Sequence, residues 1–199
     1  QGAKILVTAG PTREPIDPVR FMSNYSSGKM GYEIGIAAKK MGAYVKMISG
    51  PVSLKQIKGI ETEYVETSDE MYQAVMSNIE EFDILISTAA IADYKPVDYS
   101  LSKYKKSEND ISIRFTRGND IISCVSSKYE NIYTVGFAAE TDQLKENAID
   151  KLKKKNLNMI VGNIANHELK LGFESDYNQV TIFSKKQTIE LPRAKKSNI

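Results

Sequence analysis

The stretch Lys4–Ser49, KILVTAGPTREPIDPVRFMSNYSSGKMGYEIGIAAKKMGAYVKMIS, decides the fold. It opens with a short apolar run. A long loop follows and ends in Ser23–Gly31, which is rich in small residues and hydroxyls and carries one amide and one lysine. Ala3 to Ala9 reads as a buried strand, and Gly10 to Gly28 as the loop that leaves it. Lys29 to Met41 then reads as a helix, with Met30, Ile34, Ala37, Ala38 and Met41 on one face. Tyr44 to Ser49 is a second strand. Strand, helix, strand in this order is a right-handed crossover that begins a parallel sheet.

The alternation continues outward. Ile60 to Glu66 reads as a third strand. Ser68 is the expected N-cap of a helix that runs to about Glu81. Asp83 to Thr88 is a fourth strand, and Asp93 to Asp110 a polar loop. Ile111 to Thr116 alternates as a half-exposed strand. Asn119 to Lys128 is helical, Tyr133 to Ala138 a buried strand, Gln143 to Asn156 a helix and Asn158 to Val161 a short strand. Val180 to Ser184 and Thr188 to Leu191, split by Lys185-Lys186-Gln187, form a hairpin. The expected class is α/β: a Rossmann-like, mostly parallel sheet with helices on both faces and a small C-terminal β-hairpin. Residues 1–199 read as one domain.

A formal net charge of +2 is too small to argue for a nucleic-acid or membrane partner. One cysteine, Cys124, forbids an internal disulfide and suits a cytoplasmic setting. One histidine, His167, disfavours the usual histidine-built metal sites. No apolar run approaches bilayer length, and no signal-peptide pattern is present. Gln1 and Gly2 precede the first strand abruptly, and the tail LPRAKKSNI stops in a basic polar stretch. Both ends suggest a domain excised from a longer chain.

In such sheets ligands bind beyond the carboxyl ends of the strands. The loops leaving those ends are Gly10–Gly28, Gly50–Leu54, Ala89–Asp110, Ala139–Asp142 and Gly162–Gly172. They are also the chemically richest stretches. Ser26, Ser27 and Gly28 lead into the helix opened by Lys29, where backbone N–H groups and the helix dipole favour an anion. A simple serine cap would explain Ser26 or Ser27, but not the preceding Arg20 and Asn24. The loop is not a Walker A motif, because Met30 stands where Ser or Thr is required. Nor is it G-x-G-x-x-G, and the second strand lacks an acidic residue at its end.

Ala89 and Ala90 let a ligand approach their backbone closely. Asp93 fits recognition of a base or ribose, metal work or plain turn formation. Lys103, Lys105 and Lys106 lie on a flap beside the proposed site and fit closure over a triphosphate. Phe137, in VGFAAET, could wall a base, although an aromatic at a buried strand end is more often core.

Taken together, VTAGPTREPIDPVRFMSNYSSGKMG, SGPVSL, AAIADY, KYKK and VGFAAET resemble phosphopantothenoylcysteine synthetase in order and spacing. The likeness is to the bacterial type, where this domain is the carboxy-terminal half of a bifunctional protein whose other half is a flavin-dependent decarboxylase. It covers Lys4 to about Leu191. The resemblance implies a ligase of coenzyme A biosynthesis that condenses 4′-phosphopantothenate with L-cysteine, using CTP and Mg2+ through an acyl-cytidylate. FMN would belong only to the decarboxylase half. A homodimer with sites near its interface is also implied.

Residue by residue, the resemblance makes Asn24 and Lys103 catalytic. Asn24 holds the acyl-cytidylate, and Lys103 neutralises the triphosphate. Arg20, Asn24, Ala89 and Ala90 meet phosphopantothenate, with Arg20 reaching the phosphate held by the neighbouring subunit. The nucleotide site takes Gly10, Ser26, Ser27, Gly28, Thr88, Ala89, Asp93, Lys103, Asn119, Asp120, Ile121, Ile122, Phe137, Lys151 and Lys155. No metal ligand is assigned. Where the family shows Asn-Pro-Asp, this chain reads Arg-Gly-Asn-Asp. Lys151 and Lys155 share one helix face. At ~1.5 Å per residue they sit far along the axis from Glu140, where capping the helix dipole is the other reading. The rival reading, a nicotinamide-dependent oxidoreductase on the same sheet, is opposed by the missing glycine fingerprint and ribose carboxylate.

Overall fold

The computed structural model describes residues 2–106, 110–140, 143–164 and 176–199. His167 and most of the Gly162–Gly172 loop lie outside the described residues, as do Thr141, Asp142 and flap residues 107–109.

The strands of the main sheet are β1 (Lys4–Ala9), β4 (Tyr44–Ser49), β5 (Glu61–Tyr64), β6 (Ile84–Ser87), β9 (Tyr133–Glu140), β10 (Met159–Ile164), β11 (Tyr177–Ser184) and β12 (Thr188–Lys195). Two short hairpins complete the list: β2 (Glu14–Asp17) with β3 (Arg20–Met22), and β7 (Tyr94–Pro96) with β8 (Phe115–Arg117). The main sheet runs β12-β11-β10-β9-β6-β1-β4-β5. Its parallel part, β5 to β10, therefore has the doubly wound order, and the direction of winding reverses beside β1. β11 and β12 close the edge as an antiparallel pair.

Alternation along β1 divides the core. Ile5, Val7 and Ala9 point to one face and pack with Tyr32 of α1 (Lys29–Lys40), Val45 and Met47. Leu6 points to the other face and joins Ile48 and Leu85. There it meets Met71 and Val75 of α2 (Ser68–Asn78), Ile121 and Val125 of α3 (Ile121–Lys128), and Ala148 and Leu152 of α4 (Leu144–Lys154). This is the pleat's period of two acting on a sheet covered on both sides. Among the described residues, no helix is long and apolar enough to cross a membrane.

The class expected from sequence is the one observed, with local corrections. The Gly10–Gly28 segment is not a plain loop, because the β2–β3 hairpin is folded inside it. The half-exposed strand read at Ile111–Thr116 is the shorter Phe115–Arg117, which pairs with β7. Thr67, not Ser68, is the N-cap of α2, in a reciprocal capping box with Glu70. The tail is not a loose basic end either. β12 carries it on to Lys195, a short 3-10 turn follows, and Lys196 is buried. Pro192 fits there because β12 is the edge strand and needs no outward N–H.

Gly31 sets how closely α1 approaches the sheet. A Cβ there would lie 2.4 Å from Thr88 Oγ1 and 2.6 Å from Ala9 Cβ. Helix propensity alone predicts that Gly31→Ala stabilises by ~1 kcal/mol. The contact geometry predicts the opposite sign, a loss of about 1–3 kcal/mol in urea unfolding. A gain in stability would show that α1 has slack against β1.

Candidate active site

Two adjacent loops at the carboxyl ends of β1 and β6 are joined through their backbones. Ala90 N–H donates to Gly10 O (2.9 Å), and Thr12 N–H donates to Ala90 O (3.2 Å). The buried Thr12 accepts Ala92 N–H at its hydroxyl oxygen (3.0 Å). Asn24 Nδ2 donates to the same Ala90 carbonyl at 2.8 Å. The amide is thereby oriented, with its Oδ1 buried and, among the described residues, without a hydrogen-bond partner. A buried acceptor left this way is costly, so it marks a place where a donor is wanted.

Around this junction lies an open cleft of about 760 Å³. Its wall brings together Asn24, Ser26, Ser27, Gly28, Thr88, Ala89, Ala90 and Asp93, with Asn119, Asp120, Ile121, Ile122, Phe137, Lys151 and Lys155. Gly10 stands just behind, because a Cβ on Gly28 would lie 3.3 Å from its backbone. Gly28 is the N-cap of α1 at φ 76°, a left-handed conformation that suits glycine, and no side chain caps the helix. The first turn of α1 thus leaves N–H groups without a side-chain cap, the arrangement that favours an anion.

Arg20 and Lys103 are not in the cleft wall. Arg20 lies on the β2–β3 hairpin and Lys103 on the flap, both exposed. Phe137 lines the cleft and also packs on the Val135, Val161 and Val180 cluster. Asp93 is exposed at the rim.

The distance argument against Lys151 and Lys155 fails. Lys151 Nζ lies 2.5 Å from Glu140 Oε1, and Lys155 Nζ lies 2.9 Å from Asp120 Oδ2. Helix side chains lean toward the N-terminus, so these long stems run back toward the site rim. Counting residues along the axis ignores that reach. Asp120 also caps α3 by accepting Ser123 N–H. Burial alone would raise its pKa, but the Lys155 ammonium and Ser123 outweigh that and hold it below the ordinary value.

The sequence reading missed Asn163, Asn178 and Lys196, which also line the cleft. Asn163 stood two places beyond the strand end read at Val161 and could have been flagged. Lys196 depends on the unread extension of β12. Burial, with the Lys29 charge nearby, pushes its pKa down.

A Rossmann-like domain with an open cleft at the sheet's switch point is the class these features define. Residues 1–199 match the family described as the DNA/pantothenate metabolism flavoprotein C-terminal domain, and the chain belongs to that family. The coenzyme A biosynthesis bifunctional protein CoaBC of Vibrio parahaemolyticus is 46% identical over 186 residues, 92% of this chain and 46% of that protein. The Bacillus subtilis protein of the same name is 45% identical over 186 residues, 93% and 46% of the two chains. The chain spans about half the length of these relatives. A solved C-terminal domain of CoaBC superposes with a TM-score of 0.84 at 40% identity, covering 100% of this chain and 90% of that one. A solved Cab2 mutant shares the fold, with a TM-score of 0.76 at 16% identity, covering 96% and 80%. The family resemblance read from the motifs is borne out.

Asp120→Asn keeps the N-cap and removes the ion pair. The pair is partly exposed, so wild type should exceed the variant by no more than about 1 kcal/mol at pH 7. Because the folded pKa lies below 3.8, this advantage is present above pH 3.8 and disappears as pH falls through the lowered value. Urea unfolding from pH 7 to pH 2 checks it. A difference that persists at pH 2 would show that the pair is not its source.

Proposed function

We propose that this chain is a phosphopantothenate–cysteine ligase that uses CTP. The observation that carries the reading is the oriented Asn24 amide beside two helix N-termini and a pair of lysines in one cleft. Three supports meet there. The first is the family membership of the whole chain. The second is the likeness to CoaBC proteins, whose name describes a bifunctional protein of coenzyme A biosynthesis. The third is the chemistry of the cleft itself.

The phosphopantothenate carboxylate attacks the α-phosphorus of CTP, a P–O bond forms, and pyrophosphate leaves. The cysteine amine then attacks the acyl carbon, and CMP leaves with the electron pair of the broken C–O bond. Carboxylate oxygen is a poor leaving group, and CMP is a far better one. Catalysis of this kind is mostly positioning and charge neutralisation.

Asn24 suits the acyl-cytidylate because the second N–H of its Nδ2 can donate to the acyl oxygen without adding negative charge, while Oδ1 can accept a substrate hydroxyl or amide N–H. Ala89 and Ala90 have almost no side chain, so a ligand can pack closely against their backbone, and Asp93 at the rim is suited to cytidine. The N-termini of α1 and α3, with Lys151 and Lys155, offer positive charge for phosphates. The lysines are already paired with Glu140 and Asp120, so phosphates would take them over by exchanging partners.

Among the described residues, no three acidic, histidine or cysteine side chains gather to hold a metal ion by themselves. A magnesium ion would be carried mainly by triphosphate oxygens and water, with Asp93 and Asp120 the carboxylates in the cleft wall. Magnesium so bound would neutralise the triphosphate. A homodimer, in which Arg20 serves the neighbouring subunit, and a fused flavin-containing decarboxylase complete the reading.

Incubation with 4′-phosphopantothenate, CTP and magnesium, but no cysteine, should release pyrophosphate and accumulate an acyl-cytidylate. Absence of both products would refute the ligase reading. Asn24→Asp should slow that step at least about tenfold while leaving the thermal midpoint nearly unchanged. Undiminished turnover would remove Asn24 from the mechanism.

A further inference from the structure

Arg20 and Lys103 stand apart from the cleft wall, yet one carboxylate joins the segments that carry them. The Asp17 side chain is wholly buried. Its Oδ1 accepts the backbone N–H groups of Val19 (2.8 Å) and Arg20 (2.9 Å). Its Oδ2 accepts Arg20 NH1 at 2.5 Å and the N–H of Tyr104 at 3.1 Å. Four donors fill the four acceptor positions of a carboxylate.

A turn-forming aspartate explains only the first two bonds. It does not explain a bond to a backbone N–H 87 residues along the chain. That amide belongs to the residue after Lys103. The Arg20 guanidinium also donates to Tyr104 O, at 3.3 Å from both NH1 and NH2. Ser100 N–H donates to Ile16 O at 3.1 Å, a second tie between flap and hairpin.

We propose that Asp17 is a positioning residue whose buried carboxylate couples the Arg20 hairpin and the Lys103 flap into one unit. The arginine and the lysine then take their working positions together rather than separately. This inference rests on the ligase reading, which supplies the two anions they meet. The Arg20 side chain keeps 48% of its surface exposed. It can therefore take a phosphate on its outer edge while its inner edge stays on Asp17. Burial alone would raise the Asp17 pKa, but the bonds from Val19, Tyr104 and Arg20 outweigh burial and lower it, so the carboxylate is charged when it holds them.

Asp17→Asn, made in the full chain, keeps size and one acceptor oxygen but turns an amide nitrogen toward N–H donors. The KM values for 4′-phosphopantothenate and CTP should rise together, each about tenfold, and kcat should fall as Lys103 loses its position. Trypsin should cut after Lys103, Lys105 or Lys106 about tenfold faster, because the flap has lost its anchor. A rise in one KM alone, or in neither, overturns the proposal.

Should the variant fail to fold, hydrogen exchange in the wild-type chain decides. The Val19, Arg20 and Tyr104 amides share one acceptor group and should show protection factors within about threefold of each other. A Tyr104 amide protected about a hundredfold less than the other two contradicts the coupling. Wild type that releases no pyrophosphate would defeat the ligase reading, while the exchange and trypsin results would still judge the coupling through Asp17.

Discussion

The peptide group of Ala90 is the constraint on which the site depends. Its N–H goes to Gly10 O, and its carbonyl receives both Thr12 N–H and the Asn24 amide. These bonds extend the parallel pairing of β1 and β6 past the ends of the strands, into loops that would otherwise part. Only small side chains leave that peptide accessible, which is why Ala89 and Ala90 sit there. Because β1 and β6 flank the reversal of winding, the same bonds hold open the crevice that a doubly wound sheet makes at that point. The α1 N-terminus, the Asn24 amide and the Ala89–Asp93 segment are placed by it together.

The cleft's charges are kept in balance around that frame. Lys151 and Lys155, both partly exposed, lie against Glu140 and Asp120. These pairs are partly exposed and weak, so a polyanionic ligand can take the lysines over at little cost. On the outer side, Asp17 performs the same balancing for Arg20 and holds the flap's backbone as well. The proposed ligase thus needs few new charges when it binds its substrates; it redirects those it has.

Much of the fold was legible because burial and periodicity coincide. In Lys4–Ser49 the apolar run, the helical face and the second apolar run each exceed a full repeat of their pattern. The β2–β3 hairpin was not legible: its strands are four and three residues long, and Pro15 interrupts the first. Thr67 and Ser68 are both good caps, and only the position of Glu70 separates them. Most of the cleft was readable from element order, since loops at one sheet edge must be neighbours. Lys151 and Lys155 were misjudged on distance because rise per residue says nothing of side-chain lean. Asp17 carried no signal at all, because its partner Tyr104 is remote in sequence and meets it through backbone.

A crystal structure of the chain with CTP and 4′-phosphopantothenate tests the central claim most directly. The account predicts cytosine against Ala89–Asp93, phosphate oxygens at the first turns of α1 and α3 with Lys151 and Lys155 turned toward them, and the Asn24 amide within hydrogen-bonding distance of the pantothenate carboxylate. Nucleotide bound elsewhere on the sheet, or a carboxylate out of reach of Asn24, would contradict it.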